Sequence, residues 1–392
     1  MRYTPELELE QRITRLQDSL KYSGIDGAII VQNADLFYFS GTIQRSHLFV
    51  PAEGEPILLV KKDLERAKKE SALKNITGLE SLKEIKTVLQ SYGYGSFDLI
   101  GFELDVLPAE QYLRFQKLFE PARITNIGPL IRNLRMIKSP YEIEIFRDIT
   151  KHHHEIFSFI RNNLQEGISE CEMNGKITGI SQKKGHSGLM RIRGFNQDLF
   201  YVHFLSGRNT TPSYFEGSVG GKGVSPAFAQ GSSTKLIGRN EPVLVDYSFN
   251  LDGYMLDQTR IFCIGTLPDH LVEAHKTAID ILRELETMSA PGLSCSKLYD
   301  RAVELAAKSP YEKHFLGFPK PVNFVGHGIG IELDELPVIA SGFNSPLQTG
   351  MVFALEPKFV FPDGAVGVEN TYLLTEKGLE SLTTFEEDII YT

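Results

Sequence analysis

The chain has 392 residues, 42% hydrophobic and 23% charged, which is enough apolar material for two packed domains and excludes a disordered or fibrous protein. Its formal charge of −9 argues against a nucleic-acid partner or a polybasic membrane contact, both of which need clustered Lys and Arg. Cys171, Cys263 and Cys295 lie far apart without CxxC spacing, the first twenty residues lack the apolar core of a secretory signal, and no apolar run approaches ~18 residues. The expectation is a cytoplasmic protein with reduced thiols.

In chain order, Leu9, Ile13, Leu16 and Leu20 predict a helix over residues 6–23, and the apolar run after Gly24 predicts a buried strand. The segment HLFVPAEGEPILLV reads as a second strand pattern turning at a Gly-containing centre, and the Lys/Glu-rich residues 62–92 read as helical. Helices and strands alternate in this way to about residue 125, an α/β pattern. A Gly- and Pro-containing basic stretch then places a domain boundary within 126–138, so that domains of 1–133 and 134–392 are expected. Ser139 with Glu142 forms a capping-box signature for a long helix. Residues 208–234 are dense in Gly, Ser, Thr and Pro and predict a loop-rich strand region. Beyond residue 242, strands alternate with helices over about 267–289 and 294–308.

Two hairpins carry the chemistry. In EPVLVDYSFNLDGYMLDQTRIFCIG, Asn250 and Gly253 suit the ends of a type I turn centred on Leu251 and Asp252. That register sets Asp246 opposite Asp257, about 5 Å apart at Cβ. Near the C-terminus the turn Phe361-Pro362-Asp363-Gly364 sets Glu356 opposite Glu369, both in otherwise apolar runs where an unpaired charge would cost several kcal/mol. A cation is therefore required. His327 in VGHGIG has small neighbours that leave room around an imidazole. Four carboxylates and one imidazole suit Mn²⁺, Co²⁺, Fe²⁺ or Zn²⁺, and two acidic pairs suit two ions that generate a hydroxide for hydrolysis.

Other histidines fit less well. His152, His153 and His154 are consecutive on a helix, point about 100° apart and read as a helix surface rather than a metal cluster. His203 lies on an alternating strand and faces either a substrate pocket or packed neighbours; His186 is a loop residue with no visible partner. The segment SVGGKG lacks the spacing and following helix of a phosphate loop.

Taken together these residues resemble the methionine aminopeptidase, prolidase and creatinase superfamily with the pita-bread fold. Gly24–Gly27 through Tyr38–Gly41 looks like its creatinase-type N-terminal domain, and Arg135–Pro140 with Glu142 and Ile143 like the start of its catalytic domain. LQEGISECE, Asp246 to DQTR, GHGIG, GMVFALEP and GVEN follow in the family's order. The resemblance implies an α/β (α+β) architecture and a metal set of Asp246, Asp257, His327, Glu356 and Glu369, with Asp257 and Glu369 bridging two divalent ions, Mn²⁺ or Co²⁺ foremost and Zn²⁺ or Fe²⁺ as alternatives. It also implies a homodimer and a small peptide or amide substrate of the Xaa-Pro type.

The chain departs from the family at several positions. Ala229, Asn323 and Asp334 stand where proline-specific members carry histidines, Gly367 replaces an Arg, and Ser248 a Gly. General acid–base groups are typically worth ~10²–10⁴-fold, so slow cleavage of simple Xaa-Pro dipeptides is expected. Glu356 is the expected proton shuttle, Asp334 a candidate base, His203 a candidate third catalytic group, and Glu335 a candidate partner for a substrate amine. Alternatives on the same scaffold are a non-peptidase metalloenzyme, such as a dimethylsulfoniopropionate lyase or another C–N hydrolase, and a binding protein with reduced turnover.

Overall fold

The computed structural model describes residues 2–196, 198–212 and 217–392, so residues 213–216 of the Gly-rich stretch lie outside the described residues. Two units are distinguished by their internal contacts: residues 1–135 with 193–197, and residues 136–192 with 198–392.

The first unit begins with helix Glu6–Tyr22, whose predicted stripe of Leu9, Ile13, Leu16 and Leu20 is buried. Its mixed sheet contains β1 (Gly27–Ile30), β2 (Ser46–Pro51), β3 (Ile57–Val60), β4 (Asn75–Gly78), β5 (Leu99–Phe102) and β6 (Arg123–Asn126). They lie in the order β4-β3-β2-β1-β5-β6, with β1–β2 and β2–β3 antiparallel and the rest parallel. Ile29, Phe49, Ile57, Leu59, Phe102 and Phe115 form its core.

One expectation changes here. The stretch 62–92 is not one helical region: helices Leu64–Glu70 and Ile85–Ser91 flank β4, which pairs parallel with β3. β4 (NITG) is only partly buried and short, so it carries no alternating apolar signal. Within 126–138, the stretch expected to hold the domain boundary, the chain forms a helix, Gly128–Met136. Pro129 falls in its first turn, where the missing N–H costs nothing. A Cβ at Gly128 would press on the Asp105 carboxylate, which would have to shift.

In the second unit the capping box forms as predicted, with Ser139 and Glu142 bonding reciprocally at the start of helix Pro140–Asn163. Helices Glu170–Lys183, Asp269–Met288 and Cys295–Ala307 follow. Strands β7 (Val202–Ser206), β8 (Val243–Leu251) and β9 (Tyr254–Cys263) form one sheet with β17 (Ile390–Tyr391). A second contains β10 (Phe324–Gly328), β11 (Glu335–Ala340), β12 (Val352–Leu355), β15 (Asn370–Thr375) and β16 (Gly378–Ser381), while β13 (Lys358–Phe361) and β14 (Gly364–Gly367) form a separate ladder. Leu244, Ile261, Leu282, Leu298, Phe353 and Phe359 belong to one continuous core. The sheets meet where Thr259 bridges Glu369 and the Thr371 hydroxyl donates to the Asp257 carbonyl at 2.8 Å. That seam carries the acidic residues.

The histidine run is not simply a helix surface. His153 shares the buried face with Ile149, Ile156 and Phe157, and its Nε2 donates to the Leu256 carbonyl at 2.8 Å. Burial lowers its pKa to about 3. His152 stacks on Phe249 and His154 is exposed, so the three rings do diverge. His186 also gains partners: Nδ1 accepts from the Gly188 amide at 2.9 Å and Nε2 meets the Ser248 carbonyl at 3.2 Å.

Candidate metal centre

Asp246 and Asp257 are set by the β8–β9 hairpin, whose register differs from the expected one by two residues. Asp246 faces Thr259 and Ser248 faces Asp257, because the loop is Asp252-Gly253 rather than Leu251-Asp252. Both loop residues have positive φ, +49° and +92°, as a type I′ Asp-Gly hairpin demands. A shift of two preserves the alternation of faces, so the two aspartates stay on one side as diagonal neighbours.

The C-terminal hairpin has the predicted register. Leu355 pairs with Asn370 and Lys358 with Gly367, so Glu356 and Glu369 stand across from each other at the break between the two ladders. His327 comes from β10, paired with Ala354 on β12 and Val338 on β11.

Asp257, His327 and Glu369 are all buried, and one ligand atom from each lies within 4.8 Å of the others. The His327 Nδ1 is 3.1 Å from the carbonyls of Gly328 and Leu333, which makes it the N–H nitrogen. Its Nε2 then faces Glu356 at 3.6 Å and Glu369 at 3.9 Å. This is the orientation in which an imidazole offers a lone pair to a metal, with the other nitrogen held by a backbone carbonyl. Two carboxylates and such an imidazole fit one divalent ion.

The electrostatics are those of crowded acids. Burial, reinforced by Glu369 and Asp246, pushes Asp257 well above the usual carboxylate range. Burial also raises Glu369, to about 7, against the opposing pull of Lys358. At His327 burial works against protonation, yet Asp334, Glu356 and Glu369 outweigh it and lift the imidazole to about 9.

The sequence reading missed Lys358. This lysine is buried, and its Nζ donates to Glu356 at 2.8 Å, Glu369 at 2.9 Å and Asp246 at 3.4 Å. Burial disfavours its charge, but the surrounding carboxylates hold the ammonium well above the ordinary lysine range. At Asp246 burial favours the acid form, and Lys358 with His203 more than compensates, keeping the group below the usual range. A second ion at Asp246 thus does not fit the residues as they stand, because a cation of the protein's own already bonds to three of the ligands.

Arg260 supports the centre from behind. It is fully buried, and its guanidinium donates to the carbonyls of Thr259 and Glu369 at 2.8 Å each, to Asn370 at 2.8 Å and to Phe385 at 2.7 Å.

The model of metallopeptidase family M24 matches residues 144–376, over half of the chain, and that of the creatinase/prolidase N-terminal domain matches residues 12–137. The chain belongs to metallopeptidase family M24. Among M24 relatives, an Xaa-Pro dipeptidase of Pyrococcus furiosus is 24% identical over 97% of this chain and 100% of its own length. One of Lactobacillus delbrueckii is 24% identical over 96% and 98%. Among solved structures, an Xaa-Pro dipeptidase from Bacillus anthracis superposes with a TM-score of 0.84 at 22% identity, covering 98% of this chain and all of the other. The prolidase from Pyrococcus horikoshii gives 0.82 at 22% identity, covering 97% and 100%. The expected fold, a creatinase-type α/β domain followed by a pita-bread metallopeptidase domain, is the one observed.

The remaining candidate residues of this M24 chain fall as follows. His203 pairs with Asp246 in the β7–β8 ladder, is buried, and its Nε2 has no hydrogen-bond partner among the described residues. Asp334 lies 3.3 Å from His327 Nδ1 with its side chain 55% exposed. Ala229 and Asn323 are exposed, the former in a loop and the latter just before β10. Glu335 is not free for a substrate amine. Its carboxylate accepts from Lys138 at 3.2 Å and from the amides of Ile331 and Glu332 at 2.8 and 3.1 Å, closing the loop after His327.

Proposed function

We propose that this M24 chain is a divalent-metal-dependent peptidase that cleaves an N-terminal Xaa-Pro-type amide bond of a small peptide. The observation that carries the reading is the convergence of Asp257, His327 and Glu369, with Asp246 and Glu356 beside them, in a chain of a metallopeptidase family. The names of its relatives support the substrate class. Manganese or cobalt is the ion proposed, in a cytoplasmic homodimer; among the described residues no helix is long and apolar enough to cross a membrane.

Asp257, His327 and Glu369 would hold the ion, and Asp246 stands beside them bonded to Lys358. A bound divalent ion supplies Lewis acidity toward the amide carbonyl and makes water nucleophilic near neutral pH. Glu356 takes the proton of the attacking water and delivers it to the leaving nitrogen, its carboxylate held in place by Lys358. The Asp334 carboxylate beside His327 and the unpartnered His203 nitrogen beside Asp246 are the groups positioned to hold further protons.

Ala229 and Asn323 bring no imidazole, which favours slow turnover of simple dipeptides and keeps a second reading in play, a non-peptidase C–N hydrolase or lyase on the same centre. The deciding experiment is hydrolysis of Ala-Pro, Met-Pro and longer Xaa-Pro peptides with added Mn²⁺ or Co²⁺, alongside Asp257→Asn. Slow cleavage abolished by the substitution is expected. Metal binding without any peptide cleavage would favour the second reading.

A further inference from the structure

Lys358 is the feature of the centre that its ligand count does not explain. An ammonium has three N–H donors, and here three carboxylates, Glu356, Glu369 and Asp246, each take one. The side chain is 2% exposed, so water is no alternative partner, and among the described residues the ammonium bonds to nothing else. An ion drawing on Asp246 and Glu369 would therefore have to strip a buried ammonium of its acceptors, and an uncompensated buried charge is strongly destabilising. The triad of Asp257, His327 and Glu369 avoids this conflict, since among the described residues Lys358 hydrogen-bonds to neither Asp257 nor His327, and it takes Glu369 Oε2 while Oε1 faces His327.

The backbone makes room for this lysine. Lys358 is the direct ladder partner of Gly367, and a Cβ at 367 would lie 2.8 Å from the Lys358 Cγ and 2.5 Å from the Pro357 carbonyl. A side chain at 367 is thus excluded by the backbone of Pro357 and Lys358 as well as by the lysine stem. The cation reaches the acidic cluster from β13, opposite a position on β14 that carries no side chain.

We infer that the Lys358 ammonium takes the place of a second divalent ion at the Asp246 end of the centre, so that the protein holds one ion tightly, at Asp257, His327 and Glu369. The inference rests on the reading that this triad holds a metal. Lysine supplies the charge compensation that a second ion would give to Asp246 and Glu356, but it has no open coordination position and does not polarise a carbonyl as a metal does. Substrate activation in this chain is confined to the His327 side.

The test is metal stoichiometry by elemental analysis, with Mn²⁺ electron paramagnetic resonance, on wild type, Lys358→Met and Lys358→Arg after gel filtration in metal-free buffer. Wild type and Lys358→Arg should retain one ion per chain with the spectrum of an isolated Mn²⁺. Lys358→Met should gain a second ion with affinity improved by ~10-fold or more and an exchange-coupled spectrum. Two tightly held, coupled ions in the wild type would overturn the inference while leaving the metal reading intact, and this measurement needs no variant to fold. Absence of any bound ion in wild type and Lys358→Met alike would instead overturn the metal reading on which the inference rests.

Discussion

Replacing Glu170 by Ala tests how the strand and loop beside the metal centre are held. Glu170 is the first residue of helix Glu170–Lys183, fully buried, and its carboxylate accepts five hydrogen bonds. Oε1 takes the Ser206 amide at 2.7 Å and hydroxyl at 2.9 Å; Oε2 takes Asn209 Nδ2 at 2.5 Å and the Ser233 amide and hydroxyl at 2.8 Å each. The hydroxyls can rotate to other acceptors, so the lasting loss is two backbone N–H groups and one amide stranded in the interior. At ~1–3 kcal/mol for each stranded donor, and with water filling part of the cavity, a loss of about 4–6 kcal/mol follows. For a unit of this size that is a fall in Tm of roughly 8–24 °C. Glu170→Gln keeps one acceptor but turns an NH₂ toward donors, and should fall about midway. Ser233→Ala removes one hydroxyl and leaves the Ser233 amide bonded, so it should cost less than ~1 kcal/mol. Thermal and urea unfolding of the three variants gives the comparison. If Glu170→Ala melted within 2 °C of wild type, the claim that this carboxylate ties positions 206, 209 and 233 together would be wrong.

Other consequences are as direct. Arg260→Lys can replace at most three of the guanidinium's bonds and frees the backbone behind Glu369, so metal affinity by equilibrium dialysis should fall ~10–100-fold; unchanged affinity would refute the support role. Chelation should lower the melting temperature by about 5–10 °C, since an ion at 100 times its Kd contributes about 2.7 kcal/mol; an identical curve after verified removal of metal would count against the site. His153, His186 and His275 are held neutral by burial, with pKa values lowered to about 3, 4 and 4. Because the unfolded chain takes up their protons first, stability is lost as pH falls from about 6.5 toward 4, by about 2 kcal/mol per histidine at pH 5. Urea midpoints at pH 7.5 and 5 check this, and His275→Gln should flatten the dependence. A midpoint difference between pH 7.5 and 5 that is unchanged by His275→Gln contradicts the reasoning.

Much of the architecture was legible because it is written in local patterns. The stripe of Leu9, Ile13, Leu16 and Leu20 and the Ser139/Glu142 box are short-range signals, and each element they announce is present. β4 was not legible, because a four-residue edge strand with partly exposed side chains has no periodicity to read, and its existence depends on the parallel partner β3. His153 was legible in principle. It lies four residues from both Ile149 and Phe157, on the apolar stripe of its helix, and the conspicuous triple histidine drew the reading away from that spacing.

The centre itself divides along the same line. The four candidate carboxylates stand out because acids in apolar strands demand compensation, and that argument survives the two-residue shift in the first hairpin, which preserves side-chain alternation. Asp-Gly is the stronger hairpin signal, and weighing it above the Asn250–Gly253 turn would have recovered the observed register. Lys358 was missed for a different reason. The rule that a buried acid needs a cation was answered with metal alone, although the predicted register of the second hairpin already placed a lysine two residues from Glu356, on the same side of its strand, facing Gly367. A glycine opposite a lysine between two glutamates leaves both the space and the charge for the lysine to turn inward. The same compensation argument that calls for divalent ions therefore counts this ammonium first, and the number of ions the centre holds follows from what charge remains.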